Sequence, residues 1–290
     1  MVAESVDLET RAERAESRRG LLIGLPTYLY LILFFAVPLV IVLVYSFATR
    51  TRTGSTALSD WNLDSWARVF QGPALEVSIR SLILAAVTTL LSLVLSYPFA
   101  YWIATRPARL RAILLVLVMI PFWSNFLVRT YAMKFLMGSE GPLSLISQLF
   151  GGPPVRILFT QWAVLIGLVY GYMPFMILPL YAALERMDWS LVEAARDLYA
   201  SGWTAFRKVT LPLSMPGVVA GSVLVFIPAL GAYVTPAILG GGRTPLLGDY
   251  IVQQFLQARN WPYGAALSMA VMVVMLIATV FYFRKGGRTL

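Results

Sequence analysis

Histidine and cysteine, the side chains that most often serve as nucleophile, general base or soft metal ligand near neutral pH, do not occur in the 290 residues. Their absence removes Cys-His and Ser-His-Asp machinery, H-E-x-x-H metal sites and disulfides together. Of the 14 acids, Glu4, Asp7, Glu9, Glu13 and Glu16 crowd into residues 1–20 with Arg11, Arg14, Arg18 and Arg19, a solvated polar tail and not a paired acid site. No G-x-x-x-x-G-K-[ST] phosphate loop occurs, so any ATP hydrolysis must come from another polypeptide. The residues whose spacing does suggest a task lie between Ser190 and Pro212.

That stretch reads as a short helix, a tight turn and a second short helix. Ser190 and Glu193 have S-x-x-E capping-box spacing, which predicts a helix from about Leu191 to Ala200. Gly202 is expected at the left-handed position after it, and Pro212 is expected to stop the segment that follows. Leu191, Ala194, Ala195 and Leu198 fall on one helical face, with two small residues at its centre that permit close approach. Such a stripe either packs on the protein's own helix ends or enters a groove in a partner.

The elements that must position this loop are set by composition. With 59% hydrophobic residues, 13% charged and a mean hydropathy of +0.74, an ordinary soluble protein is excluded. The net charge of +9 is therefore read against a bilayer before any nucleic-acid surface. Runs free of charge, each long enough for the 20 or so residues that cross a bilayer, predict six helices at about 21–48, 81–105, 112–136, 157–184, 215–239 and 262–283. The fold class expected is an all-α polytopic membrane protein, with a loop at 185–212 and a basic end at 284–290. Pro38, Pro98, Pro121, Pro174, Pro179, Pro228 and Pro236 fall inside spans, either as packing kinks or as breaks lining a solute path.

An even number of spans puts both termini on one side. The tail, the 106–111 loop, the 185–212 loop and the C-terminal end carry 14 Lys and Arg, against seven in the opposite loops. The positive-inside rule then makes both termini and the 185–212 loop cytoplasmic. In the first outer loop Leu63, Trp66 and Phe70 share a face that suits an interfacial helix.

The stretch E193-A-A-R-D-L-Y-A-S-G202, followed by L211-P212, resembles the EAA signature of the transmembrane permease subunits of bacterial ATP-binding-cassette (ABC) importers. Where typical members of that family have Gly, this chain has Tyr199. R129-T-Y-A, L224-V-F-I-P-A-L-G and N260-W-P-Y-G-A-A look like the spermidine/putrescine subfamily, with iron, opine and phosphonate permeases sharing parts of them. The resemblance implies the type I importer permease fold in a bacterial inner membrane. It also implies a second related permease, two ATPase subunits holding ATP and magnesium, and an extracytoplasmic solute-binding protein. Glu193, Ala194, Ala195, Leu198, Gly202 and Pro212 would carry the coupling to the ATPase. This chain itself is expected to bind no cofactor, metal or nucleic acid and to be no enzyme.

A polyamine asks for carboxylates or aromatic faces, and the expected spans contain no acid. Relatives often have Glu in G-E-F-V-x-P-E, where this chain reads G231-A-Y-V-T-P-A and so lacks carboxylates at Ala232 and Ala237. Candidate path residues are Trp123, Tyr131, Tyr170, Tyr172, Tyr233 and, near the outer mouth, Asp249. Arg129 and Lys134 either snorkel to the interface or face the cavity, where they would suit an anion. An ion-coupled secondary carrier, the rival class, should carry buried acids in its spans.

Overall fold

The computed structural model describes residues 24–51, 54–243 and 245–286, and the tail 1–20 and residues 287–290 lie outside them. The chain divides into two compact units, Met1–Val69 with Arg259–Ala270, and Phe70–Ala258 with Val271–Leu290.

In the first unit α1 (Gly24–Ser46) is apolar on every side, and none of its apolar window is buried. A helix of that kind is stable only against lipid or another protein. A π turn at Ile32–Ala36, closed by Val37 N–H to Ile32 C=O, ends two residues before Pro38. The wider turn gives the proline ring room that a regular turn denies it. A two-stranded antiparallel ribbon of β1 (Thr49–Arg50) and β2 (Thr56–Ala57) follows. The expected interfacial helix is a short α2 (Asp64–Val69), with Leu63 and Phe70 exposed. Trp66 instead ties back to the end of α1, donating to Ser46 Oγ at 3.2 Å and lying 5.9 Å from the Phe47 ring.

The second unit is built on α3 (Gly72–Ala104), α7 (Gln161–Glu185) and α9 (Gly202–Leu230). α3 begins nine residues before the expected start at 81. Its first turns hold Glu76 and Arg80, paired at 2.8 Å one turn apart, so the charge that ended the apolar run does not end the helix. At about 1.5 Å per residue its 33 residues outrun the hydrocarbon core, which leaves room for that pair at the interface. Tyr97, Ala100, Ile103, Met176, Leu180, Leu184 and Val225 form a buried core among the three helices. Gly217 and Gly221 let α9 lie directly on α7, where a Cβ would come within 2.6 Å of Ala183 Cβ and 2.7 Å of Met176 Sδ respectively.

Two expected spans are corrected. The continuous helix over 112–136 is two helices, α4 (Ala108–Trp123) and α5 (Phe126–Leu136), bent by 87°. Asn125 is the cause: its Oδ1 accepts the N–H groups of Leu127 (2.8 Å) and Val128 (3.4 Å) and starts a new helix. The helix expected at 215–239 starts at Gly202, runs through a π turn at Phe206–Thr210, and ends at Leu230. Pro212 therefore does not stop the segment. The π turn closes through Leu211 N–H to Phe206 C=O, one residue before Pro212, the arrangement seen at Pro38. Gly231 to Tyr233 break the chain before α10 (Val234–Gly240).

The remaining helices are α6 (Pro142–Leu149), α8 (Ser190–Asp197), α11 (Leu247–Leu256) and α12 (Trp261–Gly286). Among the described residues four helices are long and apolar enough to cross a membrane, five if the bent α4–α5 pair counts as one span, and α12 adds an apolar stretch over Trp261–Ile277.

Candidate functional site

The loop at 185–212 is built differently from its sequence reading. Ser190 does not cap α8: the residue before the helix is Trp189, with no side-chain cap of its own. Asp188 does that work, its Oδ1 accepting the Ser190 N–H at 3.0 Å. Hydrogen bonds from the Ser190 side chain and backbone hold the Asp188 carboxyl below its ordinary range. At the other end Tyr199 N–H reaches Arg196 C=O (2.9 Å) and Ala200 N–H reaches Ala195 C=O (3.1 Å). These are the two bonds of a Schellman turn, and the left-handed residue within it is Tyr199, at φ +61, not Gly202. Gly202 opens α9 behind Ser201, whose Oγ accepts the Thr204 N–H at 3.2 Å.

The expected apolar stripe is sorted by this geometry. Val192 is buried with Met187 and Ala205, and Trp189, Ala195 and Val209 pack around them. Leu191, Glu193, Ala194 and Leu198 are exposed. A Cβ added at Gly202 would meet nothing within 4 Å among the described residues. The loop thus has a small core of its own and presents an uncovered small-residue face.

Residues that the sequence did not single out connect this loop to the membrane helices. Trp189 stands edge-on to Tyr101 of α3 at 5.5 Å, and Phe206, in the π turn of α9, stands edge-on to Tyr97 at 5.4 Å. Ser214 Oγ–H donates to Leu211 C=O at 3.1 Å, leaving the buried Tyr97 hydroxyl to donate to Ser214 Oγ at 2.7 Å. Both ends of the loop therefore grip the same helix. No periodicity marks these aromatics in the sequence; only their three-dimensional pairing does. Beside them Arg111 Nη1 donates to Glu185 Oε1 at 3.2 Å, joining the start of α4 to the end of α7.

The six path candidates are not brought into one constellation. Trp123 is exposed at the end of α4. Arg129 lies just beyond the bend, where its Nη1 donates to the end-of-helix carbonyl of Pro121 at 2.9 Å. Its guanidinium is within 5.9 Å of the rings of Phe122, Phe126 and Tyr170. Lys134 lies 5.9 Å from the Tyr131 ring and 5.8 Å from Phe159. Tyr170 and Tyr131, offered by sequence to a cationic solute, thus already face the protein's own cations. The Tyr172 hydroxyl donates to Pro228 C=O at 3.2 Å, near the end of α9. Tyr233 is exposed at the break between α9 and α10.

Asp249, in the first turn of α11, is the only buried acid among the described residues, and it accepts from Gln253 Nε2 at 3.1 Å. Burial pushes its carboxyl up from the ordinary range, and the Gln253 hydrogen bond opposes the shift in part. Its neighbour Gly248 lies so close to the carbonyls of Gly231 and Ala232 that a Cβ would collide with both. This puts the Asp249 backbone beside the break where Ala232 is buried.

Most of the described chain is helical, with a partly uncovered loop between two of its long apolar helices. Residues 96–285 match the family described as binding-protein-dependent transport system inner membrane component, and the chain belongs to it: it is the inner-membrane permease of an ABC importer. It is 41% identical over 259 residues to the spermidine/putrescine transport system permease protein PotB of Salmonella typhimurium strain SL1344, covering 89% of this chain and 90% of that one. Its counterpart in Escherichia coli strain K12 is 40% identical over 259 residues, 89% of this chain and 94% of that one. Among solved structures, a bacterial ABC transporter that imports the acidic polysaccharide alginate superimposes with a TM-score of 0.75 at 16% identity, over 96% of this chain and 99% of that one. That likeness concerns the fold alone.

Proposed function

We propose that the chain carries a polyamine of the spermidine or putrescine type across the inner membrane, as one of two permeases assembled with two ATPase subunits and an extracytoplasmic receptor. The observation that carries the substrate is the 40–41% identity, over most of both chains, to permeases named for spermidine and putrescine. In this reading the chain crosses the membrane six times, with both termini and the 185–212 loop cytoplasmic, as the basic residues favour. ATP binding closes the ATPase pair, and α8 moves with the groove it occupies. The Trp189–Tyr101 and Phe206–Tyr97 contacts then carry that motion to α3, and the two permeases rock open toward the receptor. Hydrolysis resets them.

Asp249 is the carboxylate we assign to the solute. It is buried beside the break at Ala232, where relatives often have Glu, and an ammonium arriving there would restore the charge that burial disfavours. The test is uptake by proteoliposomes containing the whole transporter and its receptor, offered labelled spermidine, putrescine, an opine, a phosphonate and ferric iron. ATP-dependent uptake of an amine alone is expected. Uptake of another solute with no amine transport would end the polyamine assignment and leave the permease assignment standing.

A further inference from the structure

The left-handed position of a Schellman turn strongly favours glycine, because a Cβ there crowds the backbone. In α8 that position is Tyr199, at φ +61. A bulky residue persists in such a conformation when the surrounding bonds impose it, and such outliers gather where a side chain has a task. Here both turn bonds are made, from Tyr199 N–H to Arg196 and from Ala200 N–H to Ala195, so the conformation is enforced from within the chain.

The side chain is not buried in exchange. Tyr199 is 99% exposed and its predecessor Leu198 is 82% exposed. Trp203, across the turn, is 70% exposed and held in place by stacking on Phe206 at 5.3 Å. The loop does not lack a core, since Met187, Val192 and Ala205 are buried beneath it. Three large side chains therefore stand outward on a rigid base. Glu193, Arg196 and Asp197 on the same helix supply a charged border. A large, rigid aromatic centre with a polar rim is the composition of an interface hot spot.

We infer that Tyr199 is the aromatic anchor by which this permease seats its nucleotide-hydrolysing partner, with Leu198 and Trp203 flanking it. The inference rests on the coupling role proposed above for the loop. The occupant is an ATPase subunit carrying an apolar groove large enough for a phenol ring. The left-handed backbone sets the ring's direction: it leaves the end of α8 and does not fold back on it. The anchor sets partner choice, because a cognate groove must accept a ring that glycine at this position would not present.

The test compares Tyr199→Gly, Tyr199→Phe and Ala194→Trp in the full permease pair, measuring affinity for the purified ATPase subunits and thermal stability of the pair. Glycine relieves the backbone while deleting the ring, so stability should hold or rise while affinity falls by roughly thirtyfold or more, the scale of a hot-spot loss. Phenylalanine should retain affinity within a few-fold. Wild-type affinity in Tyr199→Gly, with Ala194→Trp still blocking assembly, would overturn the anchor alone. Wild-type affinity in both would overturn the coupling role itself.

Discussion

Gly202 has no conformational duty in this chain. Its backbone is not left-handed, and none of the described residues stands where a Cβ would go. Gly202→Val should therefore leave the folded permease unchanged and show its effect only once a partner closes on the loop, read as intact thermal stability with loss of ATPase coupling. Ser92 makes the opposite case. It is fully buried in α3, its hydroxyl has no hydrogen-bond partner among the described residues, and Thr88 and Ser96 share that condition one turn to either side. Removing an orphaned hydroxyl relieves a desolvation cost, so Ser92→Ala should raise stability by about 1 kcal/mol in detergent unfolding. A loss of that size would require a partner for the oxygen.

Asp249 gives a pH dependence of definite sign. Its folded pKa is raised by burial above the ordinary value of about 3.9, so between those two values the folded state holds the extra proton. Stability from this group is greatest below the ordinary value and declines as pH rises through the raised one. Asp249→Asn should flatten that decline in unfolding measured across mildly acidic pH. Asp188 runs the other way. Its lowered pKa makes the α8 cap fully effective above the ordinary value and lost as pH falls through the folded one.

Among the elements, α3 and α9 are joined by the Tyr97–Ser214 hydrogen bond beneath Phe206. Tyr97→Phe and Ser214→Ala together should be less harmful than their separate effects predict, by about 0.5–1.5 kcal/mol of coupling in a double-mutant cycle. Additive effects would mean the bond transmits nothing. The helices themselves were legible because charge-free runs are long and a bilayer admits few alternatives. Their ends were not, since charge marks the edge of the hydrocarbon and not of the helix: α3 extends back past Arg80 and Glu76 to Gly72. Asn125 and Pro212 show the same limit in two directions. A cap within an apolar run breaks α4 from α5, while a proline expected to stop a helix is absorbed by a π turn. The loop at 185–212 could be found from its signature, but not which residue would adopt the left-handed turn. Gly202 had the right chemistry, and the hydrogen bonds chose Tyr199.

At the scale of the whole molecule, the chain is the membrane half of a machine whose chemistry lies elsewhere. It has no His, no Cys and no phosphate loop, and one buried acid among the described residues. In the mechanism proposed, it contributes the loop on which the ATPase acts and the close-packed helices that move with it. The central claim is that motion enters through the face bearing Ala194, Tyr199 and Gly202 and passes to α3 and α9. It is tested most directly by the ATPase rate of the reconstituted transporter, with and without solute-loaded receptor, for the wild type and for Gly202→Val. The wild type should be stimulated by the loaded receptor. The variant should assemble a folded permease yet show no stimulation, and stimulation equal to wild type would contradict the account.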